Sequence, residues 1–138
     1  MNKMIYIVFI VIVVIAGLIL LLNKVDQNVD NDGVIKHVSM DDIVDIMKEN
    51  DNYIILDVRT IDEYNAGHIP NAICIPNETI GSDIVSELPN KEQLILVYCR
   101  GGNRSKQAVE KLKELGYTNL IEFGGIVDWK GEIVKEQK

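Results

Sequence analysis

The run Leu94-Ile95-Leu96-Val97-Tyr98-Cys99 has no polar face. Side chains alternate across a strand, so a run apolar at every position must be covered on both sides. Similar runs occur at Tyr53 to Val58, apolar except for Asp57 near its end, and at Ala72 to Ile75, and Asn119 to Phe123 is a last strand. Between them lie helical patterns. Ser39 with Asp42 three residues on predicts a helix to about Glu49, with Ile43, Ile46 and Met47 on its inner face. Thr60 with Glu63 repeats the capping-box pattern and starts a short helix ending near Gly67. A weaker helical segment is expected from about Thr79 to Leu88, the clearest helix over Ser105 to Leu115 with Gly116 as its cap, and a last helical stretch around Ile126 to Lys130. Val34 to Val38 is a further short strand. Doubly apolar strands alternating with helices predict an α/β domain with a central parallel sheet flanked by helices.

In open sheets of this kind, sites form beyond the carboxyl ends of the strands. Cys99 ends its strand and runs directly into Arg100-Gly101-Gly102-Asn103-Arg104-Ser105 and the helix that follows. Consecutive backbone N–H groups in such a loop form an anion-binding nest, and the helix N-terminus adds partial positive charge. Two arginines lie in the same loop. All three effects favour thiolate over thiol, and the thiolate is the nucleophile. Gly101 and Gly102 permit positive φ and close approach of a substrate, Asn103 tolerates the left-handed region, and Ser105 is expected to cap the helix.

Ahead of this domain, Met4 to Leu22 is nineteen residues without a charge. At 1.5 Å per residue such a helix spans roughly the 30 Å hydrocarbon core of a bilayer. The expectation is a transmembrane helix over 4–22, a polar linker over 23–33, and the α/β domain over 34–133. The apolar run exceeds a signal peptide's, and no small-x-small site follows Leu22. Lys3 and the α-amino group stand on one side of the run and Lys24 on the other, so charge assigns the domain to neither face of the membrane.

From Gly33 onward the chain has 12 Lys and Arg against 18 Asp and Glu, a net charge of −6 that argues against a nucleic-acid partner. Cys74 and Cys99 are the only cysteines, His37 and His68 the only histidines, and none has metal-ligand spacing, so no metal or other cofactor is expected. Cys74, within Ala72-Ile73-Cys74-Ile75, reads as a small core hydrophobe.

Leu56-Asp57-Val58-Arg59, Glu63-Tyr64, Gly67-His68-Ile69-Pro70-Asn71-Ala72 and Ile75-Pro76 closely resemble the first signature of rhodanese domains. The Cys99 to Ser105 loop resembles their active-site loop, and Gly124-Gly125 followed by Trp129 resembles their C-terminal signature. The resemblance covers roughly Val34 to Lys130. It implies a three-layer rhodanese-like α/β domain and a sulfurtransferase that moves a sulfane sulfur through a persulfide on Cys99. The donor it implies is a small anion such as thiosulfate or a persulfide, and the acceptor cyanide, a thiol or a protein. By the same resemblance Arg100 and Arg104 hold the donor's anionic head, the loop from Arg100 to Ser105 binds substrate, and Asp57, Arg59, Glu63 and His68 are structural support. Asp57 and Arg59 are expected as a buried pair with Glu63, and His68 as the pin of the turn before Ile69-Pro70.

Two other functions suit parts of the pattern. Rhodanese-like domains resemble dual-specificity phosphatases and some arsenate reductases, which use Cys-x5-Arg; here the spacing from Cys99 to Arg104 is Cys-x4-Arg, one residue short of cradling a phosphoryl group. A non-catalytic rhodanese-like binding module typically lacks the cysteine, which this chain keeps.

Overall fold

The computed structural model describes residues 2–23, 33–81 and 85–136, with side chains over 2–17, 33–81 and 85–136. Five strands, β1 (Ile35–His37), β2 (Tyr53–Asp57), β3 (Ile73–Cys74), β4 (Leu94–Cys99) and β5 (Leu120–Gly125), form one parallel sheet in the order β1-β5-β4-β2-β3. β4 is central, as its doubly apolar sequence requires. Alternation sends Ile95, Val97 and Cys99 into one hydrophobic layer and Leu96 and Tyr98 into the other. The first layer is closed by Ala108, Val109 and Leu112 of helix α4 (Asn103–Glu114), the second by Ile43 of α2 (Met40–Glu49) and by Ile69, with Tyr64 of α3 (Ile61–Ala66) at its edge. Cys99 therefore lies on the α4 side of the sheet.

The helix ends follow their sequence signals closely. Ser39 Oγ accepts from the Asp42 N–H at 3.1 Å. Thr60 and Glu63 make the reciprocal capping box, and Gly116 (φ 95°) closes α4 with its N–H on the Lys113 carbonyl. Other expectations need correction. Over the segment from Thr79 to Leu88 the described residues contain only the end of a 3₁₀ turn, Asn77–Thr79, and residues 82–84 lie outside them. The last helical stretch is likewise a single 3₁₀ turn, Ile126–Asp128.

A helix, α1 (Asn2–Asn23), forms where a transmembrane helix over 4–22 was expected. Among the described residues, however, no helix is long and apolar enough to cross a membrane. Side chains are described as far as Gly17. Residues 18–22 of the expected span fall outside that set, as does most of the expected linker.

Candidate active site

The β4 strand delivers Cys99 to the sheet's carboxyl edge, 1% exposed. The chain then turns through Gly102, whose φ of 104° places it in the left-handed region and makes it the N-cap of α4. That turn folds the Gly102 N–H back onto Cys99 Sγ at 3.0 Å. Among the described residues, the N–H groups of Gly101, Asn103, Arg104 and Ser105 donate to no protein acceptor. They are the unused donors of a loop and of a helix start, available to an anion in front of the sulfur. Of the two loop glycines expected to permit positive φ, Gly102 adopts it, and Asn103 opens the helix.

Gly125 holds this loop from beneath. A Cβ there would lie 2.1 Å from the Arg100 carbonyl oxygen and 2.6 Å from Gly101 Cα. Only glycine lets β5 run under the loop at that distance, and the Val127 N–H ties the two together by donating to the Arg100 carbonyl at 3.3 Å.

The two loop arginines divide. Arg100 is exposed and has no acidic partner among the described residues. Arg104 instead meets Glu63 in a two-pronged ion pair, Nη1 to Oε2 at 2.7 Å and Nη2 to Oε1 at 2.9 Å. Arg104's hydrogen bonds, followed by those from the Thr60 N–H and hydroxyl, pull the Glu63 carboxyl down to about 2. The same pair raises Arg104 above its ordinary value. Arg104, expected on the donor's head, is thus committed to α3, and Glu63, expected beside Asp57 and Arg59, braces the loop instead.

Asp57 and Arg59 do form a buried pair, with Arg59 Nη2 donating to Asp57 Oδ2 at 2.6 Å and to the Gly67 carbonyl at 2.7 Å. Tyr98 completes it. Its hydroxyl donates to Asp57 Oδ2 at 2.7 Å and accepts the Ile69 N–H at 3.1 Å, while burial and the Asp57 charge push the phenol far above its usual value. His68 Nδ1 donates to the Tyr64 carbonyl at 2.8 Å, its ring stacks on Tyr64, and its backbone pairs with Val134. That is the pinning expected of it. Cys74 is half-buried, with burial pushing its thiol up to about 11.

Ser105 does not cap its helix through its own N-terminal turn. Its buried Oγ lies 3.5 Å from Cys99 Sγ and donates to Glu122 Oε1 at 2.6 Å. Glu122, 3% exposed, was absent from the expected site. Its signal was present, because it is the single charge inside the apolar run of β5, two residues before Gly124-Gly125. Among the described residues no group of three or more His, Cys, Asp or Glu could hold a metal ion.

The family model of the Rhodanese-like domain matches residues 39–132, which holds the loop, Glu63, Arg59 and the paired glycines. The chain belongs to the rhodanese-like family. It is 38% identical over 73 residues to thiosulfate sulfurtransferase PspE of Escherichia coli, covering 53% of this chain and 70% of that one. It is also 39% identical over 80 residues to the adenylyltransferase and sulfurtransferase uba4 of Ogataea parapolymorpha, a far longer protein of which it spans 20%. Among solved structures, a rhodanese with anions from E. coli aligns with a TM-score of 0.56 at 36% identity, covering 61% of this chain and 99% of that one. The rhodanese-like layers thus agree with the parallel sheet and its flanking helices.

Proposed function

We propose that the 34–133 domain is a sulfurtransferase that carries a sulfane sulfur as a persulfide on Cys99. The observation that supports it is the arrangement around Sγ, with the Gly102 N–H on the sulfur at 3.0 Å and four further N–H groups of the loop uncommitted. In the loading step the Cys99 thiolate attacks the outer sulfur of an anionic donor such as thiosulfate. The new Sγ–S bond forms from the thiolate's electron pair, the donor's S–S bond breaks, and sulfite leaves with that bond's pair. The outer sulfur then carries the negative charge, where preorganised N–H donors stabilise it as they would an oxyanion. An acceptor thiolate or cyanide attacks that sulfur in turn and Cys99 leaves as thiolate. Arg100, exposed and without an acidic partner among the described residues, is the cation suited to the donor's anionic end. The similarity to a thiosulfate sulfurtransferase and to a rhodanese solved with anions points the same way.

A phosphatase fits less well. The short loop is compounded by the engagement of Arg104 with Glu63, which leaves no arginine at the loop's end to brace phosphoryl oxygens.

The test is mass spectrometry of the protein incubated with thiosulfate. Cys99 is expected to gain one sulfur, about +32 Da, and Cys99→Ser to lose both the adduct and thiosulfate:cyanide transfer. Sulfur mapped to Cys74, or transfer surviving in Cys99→Ser, refutes the assignment.

We also infer a lipid surrounding for the N-terminal helix, with the domain tethered to a membrane by it. Two features support this: the uncharged nineteen-residue run, and the exposure of every large apolar side chain from Met4 to Ile15 at 49–74%. Full-length protein is expected to stay with membranes through carbonate washing, and release by salt refutes the inference.

A further inference from the structure

Glu122, 3% exposed, reaches the Cys99 sulfur through Ser105. Its Oε1 accepts from Ser105 Oγ at 2.6 Å and from the Gly124 N–H at 2.9 Å, and its Oε2 lies 3.0 Å from His37 Nδ1. With His37 Nδ1 as the donor, both oxygens accept, which is the pattern of an ionised carboxylate. Ser105 has one hydroxyl proton and three oxygen acceptors in reach, Glu122 Oε1 at 2.6 Å and the carbonyls of Gly102 at 2.9 Å and Gly124 at 3.5 Å, and the shortest contact, to the carboxylate, claims it. Its lone pairs therefore face Cys99 Sγ at 3.5 Å, which suits a thiol proton and offers nothing to a thiolate. The loop acts in the opposite sense, with the Gly102 N–H donating to Sγ at 3.0 Å and its other N–H groups uncommitted among the described residues.

We propose that Glu122 is a positioning residue that favours the sulfur-loaded over the empty thiolate form of Cys99, by placing a buried negative charge near Sγ and turning the Ser105 proton away from it. The proposal rests on the persulfide reading above. In loading, the enzyme's negative charge starts on Sγ and ends on the outer sulfur, one bond further from Glu122 and closer to the loop N–H groups. Repulsion from Glu122 is therefore relieved as sulfur arrives and restored when Cys99 leaves as thiolate. Two contacts, 2.6 Å and 3.5 Å long and both buried, link carboxylate to sulfur, where charge is weakly screened.

The titratable groups facing Glu122 are His37 from β1 and, through Ser105, Cys99 from β4; on α4 the neighbouring Arg104 is held by Glu63. The experiment uses the full chain with Glu122→Gln, which keeps shape and hydrogen bonding but removes charge, and Glu122→Asp, which keeps the charge. The first readout is the rate of Cys99 alkylation by iodoacetamide from pH 5 to 9. Glu122→Gln is expected to react at least tenfold faster than wild type at pH 6, with Glu122→Asp close to wild type and His37→Gln leaving the Gln effect in place. The second is the fraction of Cys99 loaded in a fixed mixture of thiosulfate and sulfite, expected to fall at least threefold in Glu122→Gln alone. Slower alkylation in Glu122→Gln would mean that Glu122 takes the thiol proton as a base, and unchanged alkylation and loading that it only packs; either overturns the proposal. If wild type never loads while the alkylation difference holds, the sulfur-carrier reading fails and the charge effect stands.

Discussion

Gly125→Ala tests whether the position of the loop, rather than its mere presence, makes Cys99 reactive. An added Cβ would sit 2.1 Å from the Arg100 oxygen and 2.6 Å from both the Arg100 carbonyl carbon and Gly101 Cα. All three are backbone atoms, so no side-chain rotation relieves the overlap. Real contacts of this kind begin near 3 Å, and the loop must retreat by about 1 Å. Overpacking of that sort costs about 1–3 kcal/mol, or roughly 5–15 °C in melting temperature for a domain of this size. A 1 Å misplacement of a catalytic group costs about a hundredfold in rate. Thermal melting and the initial rate of Cys99 loading by thiosulfate are therefore both expected to fall. The control is Gly81→Ala, outside the loop, where an added Cβ meets nothing within 4 Å and φ is not positive. It is expected to stay within twofold of wild type in both assays. Loading by Gly125→Ala at the wild-type rate would refute the claim that converging loop donors drive the chemistry.

The remaining predictions concern the charges and hydroxyls around that loop. Glu63, held near 2 against an ordinary 4.5, contributes stability that is complete above pH 4.5 and lost as pH falls toward 2. Because the pair is about a third exposed the contribution is below about 1 kcal/mol, and acid titration of the melting temperature should be flatter in Glu63→Gln. Tyr98→Phe leaves a buried Asp57 oxygen and the Ile69 N–H short of a partner and is expected to lower stability by about 1–3 kcal/mol, read as a shifted denaturation midpoint with unchanged slope. Arg100→Ala is expected to raise KM for thiosulfate several-fold with little change in kcat, whereas an equal fall in both kcat and kcat/KM would show that Arg100 acts only on the transition state.

Most of the frame was legible because it rests on local rules. Leu94 to Cys99 could only be a doubly covered strand, Thr60 and Glu63 carry their capping box in four letters, and Gly116 ends α4 as its position indicates. The segment from Thr79 to Leu88 misled because helical periodicity in a short polar stretch is weak against the packing of Ile80 and Leu88 into the α4 layer. Ser105 misled for a related reason. A serine at a helix start ordinarily caps it, but here Gly102 supplies the turn, which frees the hydroxyl for Glu122.

Charge was the least legible property, since a sequence shows which charges exist but not which are already paired. The loop reads as doubly cationic, yet Arg104 is neutralised by Glu63 from forty-one residues away, and Arg59 by Asp57. Glu122 then adds a buried carboxyl group linked to the sulfur through Ser105. What the loop keeps uncommitted, among the described residues, is therefore one exposed guanidinium and a set of backbone N–H groups. Backbone dipoles fixed by Gly102 and Gly125 cannot be titrated or screened as a side-chain ion can. Attraction of the donor should accordingly fall with added salt through Arg100, while the chemical step on Cys99 should not. Loading rates measured from 50 to 500 mM salt are expected to drop several-fold at low thiosulfate and to converge at saturating thiosulfate. A saturating rate that also collapsed with salt would mean that mobile charge, not the backbone, stabilises the outer sulfur.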